Sequence, residues 1–142
     1  MVLRYEVEGG EFVSAGVASS KVKKALKQLA IKPEIIRKIS VAMYEAEINM
    51  VIHASGCIIE AEITPEKIHV VLQDHGPGID NLELAMTAGY STASRAAREM
   101  GFGAGMGLPN MKRYADMLHV ESEVGVGTTV SITVELDQKQ GL

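Results

Sequence analysis

The chain has 142 residues, 46% of them hydrophobic, and carries 18 acidic against 14 basic side chains for a net charge of −4. That is enough apolar material for the core of one domain spanning 1–142, and the acidic balance excludes the basic footprint a nucleic-acid partner needs. One cysteine, Cys57, rules out an internal disulfide, and no apolar run nears the ~20 residues that span a bilayer, so the reading is a soluble, cytoplasmic protein without membrane contact.

The opening MVLRYEVEGG lacks the apolar stretch of a secretion signal, and residues 2–8 alternate apolar with polar, which predicts a first strand stopped by Gly9 and Gly10. Residues 14–30 set Val17, Val22, Leu26, Leu29 and Ala30 at near-helical spacing, with Lys21, Lys23, Lys24 and Lys27 on the remaining surface. These lysines either solvate the helix or meet an acidic partner. Pro33 suits the first turn of a second helix that ends before Gly56.

Within that helix residues 41–54, VAMYEAEINMVIHA, contain no Gly or Pro and place Glu45, Asn49 and His53 at intervals of four. At about 100° per residue, Glu45 and Asn49 stack one turn apart on one side. The adjacent stripe of Ile35, Ile39, Ala42, Met43, Ala46 and Met50 reads as core-facing. Glu47 falls nearly opposite Glu45 and is expected to be a solvated or peripheral carboxylate. An amide one turn from a carboxylate suits Mg²⁺, a hard cation that takes oxygen ligands and keeps waters a carboxylate can orient or deprotonate. An ordinary polar edge on an amphipathic helix fits the same residues.

Beyond Gly56 the period changes to two. Residues 58–63 and 67–72 flank Thr64-Pro65-Glu66 as an antiparallel hairpin, with Cys57 in an apolar run as a buried structural thiol. The second strand runs into Asp74-His75-Gly76-Pro77-Gly78-Ile79, where the glycines let the backbone approach a flat ligand and Asp74 offers a fixed acceptor. Such an acceptor favours the amine of adenine, since the guanine carbonyl would leave two buried acceptors unsatisfied at a cost of ~1–3 kcal/mol. A ligand-free Asp-Gly turn is the alternative. Residues 80–88 predict a short helix opened by the capping box Asp80 to Glu83, and 89–100 a mobile segment.

Gly101, Gly103, Gly105 and Gly107 precede a helix expected over 110–117 and begun by Pro109, so free N–H groups gather at the positive end of a helix dipole. This makes an anion site or a plain connector. It is neither a Walker A loop, lacking the GK[ST] ending, nor a dinucleotide fingerprint, lacking a preceding strand. Lys112 and Arg113 reach a phosphate or face water. Strands over 118–123 and 128–135, around Val124-Gly125-Val126-Gly127, complete the pattern.

Taken together, ExxxNxxxH on a helix, DxGxG after a strand, GxGxGxG before a helix and GxGTT opening the last strand resemble the Bergerat-fold ATPases. That superfamily includes gyrase-type topoisomerases, mismatch-repair ATPases and the catalytic domains of sensor histidine kinases. Within it the chain is most similar to the stand-alone serine/threonine kinases of sigma-factor control, the anti-sigma regulatory factors and switch-protein kinases. GMGLPNMKRYAD resembles their GLPxxKR stretch, and no dimerisation helix with a phosphoacceptor histidine precedes the ATP domain. The longer SRAAREMGFGA before that loop is a departure.

The resemblance implies an α/β fold, a two-layer α/β sandwich with a mixed, mostly antiparallel sheet and helices on one face. It implies that Asn49 binds the Mg²⁺ bridging the phosphates of ATP and that Glu45 is the general base. His53 would contact phosphate or pack against the sheet. Asp74 would hold the adenine amine beside a wall of Gly76, Gly78 and Ile79, supported by Thr128, while Thr129 points the other way. Gly103, Gly105, Met106, Gly107 and Leu108 would cradle the phosphates as part of a lid that orders on ATP binding, bringing Arg95 or Arg98 to phosphate or partner. The implied activity is a serine/threonine protein kinase acting in trans on a small regulatory protein: an antagonist, a sigma factor or a sensor component. Two alternatives share the ATP site: a nucleotide-gated binding module with little phosphotransfer, and a detached histidine-kinase catalytic subunit. A homodimer is left open.

Overall fold

A computed structural model of the chain describes residues 1–8, 16–53, 56–74 and 107–136. Five strands form one sheet: β1 (Val2–Glu8), β2 (Gly56–Ile63), β3 (Lys67–Gln73), β4 (Met117–Glu123) and β5 (Gly127–Glu135). Their order is β1-β2-β3-β5-β4, and every neighbouring pair is antiparallel. The helices among the described residues are α1 (Val17–Gln28), α2 (Pro33–His53) and α3 (Gly107–Tyr114).

Period-two alternation decides which side of the sheet meets the helices. Cys57, Ile59, Ala61 and Ile63 of β2, Ile68, Val70 and Leu72 of β3, and Val130, Ile132 and Val134 of β5 are buried on the same face. Thr128 shares that face and Thr129 takes the other. The hairpin between β2 and β3 is closed by Thr64, whose hydroxyl accepts from the Glu66 and Lys67 N–H groups at 3.3 and 3.2 Å and donates to the Lys67 carbonyl at 3.1 Å.

Helix α2 is the hub. It packs on β2, β3 and β5 and against α1 and α3. The expected stripe of Ile35, Ile39, Ala42, Met43, Ala46 and Met50 is buried throughout, widened by Ile36, Ile48 and Val51. In α1 the lysines are exposed as expected, but the stripe is shifted: Ala18, Ser19, Val22 and Leu26 are buried, whereas Val17 and Leu29 are 46% and 43% exposed. The helix begins only at Val17 and ends before Leu29, so both residues sit at its ends, away from the packed middle.

Glu47 is a correction. It is fully buried, and its carboxylate accepts from the N–H groups of Gly16, Ala18 and Ser19 at 2.9, 3.4 and 2.9 Å and from the Ser19 hydroxyl at 2.7 Å. The first turn of any helix leaves N–H groups without partners and a positive dipole end. Here Gly16 stands at the cap in a left-handed conformation, φ 90°, with no side chain to fill the role, so a carboxylate from α2 does so instead. The helical wheel sets Glu47 away from Glu45, but the expected solvated carboxylate is instead covered by the start of α1.

Helix α3 also differs from expectation, running from Gly107 to Tyr114 rather than over 110–117, with β4 already begun at Met117. Proline is tolerated throughout a first turn, so Pro109 falls inside that turn and does not mark its start. At the other end Asp116 is claimed by the sheet: its N–H donates to the Thr133 carbonyl at 3.0 Å, and its carboxylate takes the Glu135 N–H at 2.7 Å and the Lys38 ammonium. The expected helix at 80–88, the segment 89–100 and most of the glycine run lie outside the described residues. Among the described residues, no helix is long and apolar enough to cross a membrane.

Candidate functional site

Asp74 follows β3 directly and continues its alternation onto the helix-facing side, two residues beyond Leu72. It is buried and tied twice to β5: its N–H donates to the Thr128 carbonyl at 2.9 Å, and the Thr128 N–H donates to Oδ1 at 3.1 Å. With its main-chain N–H and one carboxylate oxygen both bonded to the Thr128 backbone, Asp74 has its direction fixed before any ligand arrives. The Thr128 hydroxyl in turn lies 2.8 Å from the hydroxyl of Ser122, which also donates to the Gly127 carbonyl at 3.4 Å. Ser122 was not singled out in the sequence, yet the register of β4 with β5 sets it directly across from Thr128. Pairing register was the signal that could have found it.

Across the sheet Cys57 is buried, and its thiol is pushed up to about 12, first by burial and then by the negative charges of Glu47 and Asp74. One carboxylate from the helix layer and one from the end of β3 thus act on the same thiol. Asp74 and Cys57 thus lie on the same, helix-facing side of neighbouring strands.

On α2, Glu45 and Asn49 are both half-buried, one turn apart. Burial raises the Glu45 carboxyl above its ordinary range, and a hydrogen bond from the side chain of Asn110 on α3 opposes that rise. Asn110 is a second residue the sequence reading passed over; nothing in its spacing pointed to α2. Lys112 and Arg113 are exposed, with the Arg113 guanidinium 5.7 Å from the centre of the Tyr114 ring.

The structure therefore gathers two groups on the inner side of the sheet: Glu45, Asn49 and Asn110 where α2 meets α3, and Asp74, Thr128 and Ser122 where β3, β5 and β4 meet. His53 closes α2, and Gly107 and Leu108 open α3, but their side chains are outside the described residues. Gly76, Gly78, Ile79, Arg95, Arg98, Gly103, Gly105 and Met106 are wholly outside them. Among the described residues, no cluster of three or more His, Cys, Asp or Glu is arranged to hold a metal ion.

The profile of the histidine kinase-like ATPase domain family matches residues 13–134. An anti-sigma F factor of Clostridium perfringens is 34% identical over 121 residues, which is 81% of this chain and 83% of that protein. The anti-sigma F factor of Caldanaerobacter subterraneus is 39% identical over 105 residues, 70% of each chain. Among solved structures, the RsbU and RsbW domains of a Mycobacterium tuberculosis protein share the fold at TM-score 0.65 and 15% identity, covering 96% of this chain and 32% of that one. A chain of the SiaB–SiaC complex from Pseudomonas aeruginosa does so at TM-score 0.65 and 13% identity, covering 93% and 88%. With a family match over most of its length and relatives above 30% identity, this chain belongs to the histidine kinase-like ATPase domain family, alongside the anti-sigma F factors.

Proposed function

We propose that the protein is an ATP-dependent serine/threonine kinase of the anti-sigma regulatory type, acting in trans on a small regulatory protein. The observation that carries this is Glu45: a half-buried carboxylate of raised basicity, one turn from Asn49 and held by Asn110, has the properties of a general base. A module that only bound its partner would have no use for one. The family supplies the nucleotide, and relatives named as anti-sigma F factors supply the kind of partner.

In this reading Asp74 accepts the adenine amine, its Oδ1 steadied by the Thr128 N–H. Asn49 would offer one amide oxygen to Mg²⁺, a hard cation suited to oxygen donors, and the ion would supply charge neutralisation for phosphoryl transfer. Glu45 accepts the proton of the attacking hydroxyl, so the hydroxyl oxygen bonds to the γ-phosphorus as the bond to ADP breaks. Phosphoryl transfer needs little more than this positioning and neutralisation. His53, Gly103, Gly105, Met106, Gly107 and Leu108 are assigned to the phosphates, and Gly76, Gly78 and Ile79 to the base.

A second reading is favoured by the relatives' names, which record antagonism of a sigma factor rather than transfer: a nucleotide-gated binding module. Incubation with labelled ATP and candidate partners separates the cases. Acid-stable label on a partner supports the kinase, a tight complex without label supports the binder, and acid-labile label supports a detached histidine-kinase subunit. Glu45→Ala is expected to abolish transfer, a loss of at least about 100-fold, while leaving ATP affinity within a few fold.

A further inference from the structure

We propose that Arg37, Arg113 and Tyr114 form a docking site for an acidic segment of the partner protein, near the Pro33 end of α2. Capture of an acidic segment there is independent of the kinase reading; its use in presenting a hydroxyl to Glu45 rests on that reading.

The two arginines come from different helices and meet on one ring. The guanidinium of Arg37, on α2, lies 5.9 Å from the centre of the Tyr114 ring, and that of Arg113, on α3, lies 5.7 Å from it. The cations are no further apart than those two distances combined, a gap that two acidic side chains on one short segment can span. Both arginines are exposed, and among the described residues neither has a carboxylate partner. Neighbouring Lys38 differs: Asp116 takes it, while the other Asp116 oxygen accepts from the Glu135 N–H at 2.7 Å. Across 33–44 and 107–116, Arg37, Lys38, Lys112 and Arg113 face only Glu34 and Asp116, a positive excess on a chain of net charge −4.

Helix electrostatics accounts for one arginine but not the other. Arg113 in the last turn of α3 complements the dipole, whereas Arg37 stands just past the first turn of α2, where its own helix offers a cation nothing. The ring they share is fixed: Tyr114 packs against the core, and α3 is anchored by the fully buried Met111, whose carbonyl accepts from the Ala115 N–H at 2.9 Å. A guanidinium already resting on a fixed ring loses little freedom when it takes a carboxylate with two N–H groups. The lysines of α1 also attract acid, but among them only Lys21 lies over a ring, that of Tyr5, so their charge is diffuse. Arg37 precedes Glu45 by eight residues, about 12 Å along the helix axis. An extended segment covers that in about four residues, so the acids should sit about four residues from the hydroxyl presented to Glu45.

The test is an NMR titration of the full chain with a synthetic serine peptide carrying two adjacent glutamates, compared with its glutamine twin. The arginine Nε–H signals are assigned by their loss in Arg37→Gln and Arg113→Gln. Both signals should move with the glutamate peptide alone, and either substitution should weaken its affinity about tenfold. Lys23→Gln combined with Lys27→Gln removes two charges from α1 and should leave the affinity within about twofold. Unmoved signals, or an equal loss in the α1 variant, overturn the proposal; so do signals moved by inorganic phosphate but not by the peptide, which would mark a plain anion site. Arg37→Lys and Arg113→Lys, which keep the charge, should recover only part of the affinity, and full recovery would overturn the held geometry. In the transfer assay Arg37→Gln should raise KM for the partner about tenfold with kcat nearly unchanged. A fall in kcat at constant KM would overturn the presenting role. No transfer by the wild type would overturn the kinase reading alone, with the titration still deciding the docking site.

Discussion

At the scale of single residues, the two carboxylates of α2 separated by one position have opposite purposes. Glu45 is kept half-buried at some cost: its folded-state carboxyl is raised above 4.5, chiefly by burial. The folded state therefore holds this proton more tightly than the unfolded chain, so the stability it contributes is complete below about pH 4.5 and is lost as pH rises through the folded value. Glu45→Gln, which cannot ionise, should melt at a higher temperature than wild type at pH 7 and at nearly the same temperature at pH 4; equal melting at both would remove the case for a strained base. Glu47 is the reverse, a carboxylate whose four hydrogen bonds hold the start of α1. Glu47→Ala strands those donors in a dry interior and should cost roughly 3 kcal/mol by chemical denaturation. A loss under about 1 kcal/mol would mean that water replaces the cap. The sequence could announce Glu45 because its partner Asn49 is one turn away, but not Glu47, whose partners are 28 to 31 residues distant.

At the scale of elements, α1 depends on a backbone arrangement that only glycine satisfies. Gly16 has φ 90°, and a Cβ built there would lie 2.5 Å from Cε1 of Tyr44. Gly16→Ala should destabilise by about 2 kcal/mol, combining the left-handed penalty with the clash. Adding Tyr44→Ala should restore only the part due to the ring, and a Gly16→Ala chain as stable as wild type would show that α1 can start elsewhere. The strands were legible almost to the residue, because alternation over 2–8, 58–63, 67–72 and 128–135 admits one register against a buried face. Helix ends were less so. In α3 the proline signal is compatible with several first-turn positions, and the terminator is Asp116 reaching to β5 and Lys38, a tertiary contact with no local signature.

At the scale of the whole molecule, the sheet order β1-β2-β3-β5-β4 brings the end of β3 against the start of β5, in the two strands on which α2 packs. This is how motifs far apart in sequence come to share one side of the fold. The superfamily pattern announced that architecture; the pairing of Ser122 with Thr128 and of Asn110 with Glu45 emerged only in three dimensions, since both depend on register and on helix packing. The central claim is that Asn49 and Asp74, carried by different layers, serve one nucleotide. Calorimetric titration of ATP, with and without Mg²⁺, into wild type, Asp74→Ala and Asn49→Ala tests it most directly. The account predicts that Asp74→Ala weakens binding about tenfold or more in either condition, while Asn49→Ala loses the gain due to Mg²⁺ and retains Mg²⁺-free affinity. Wild-type affinity in either variant, both being folded, would contradict it.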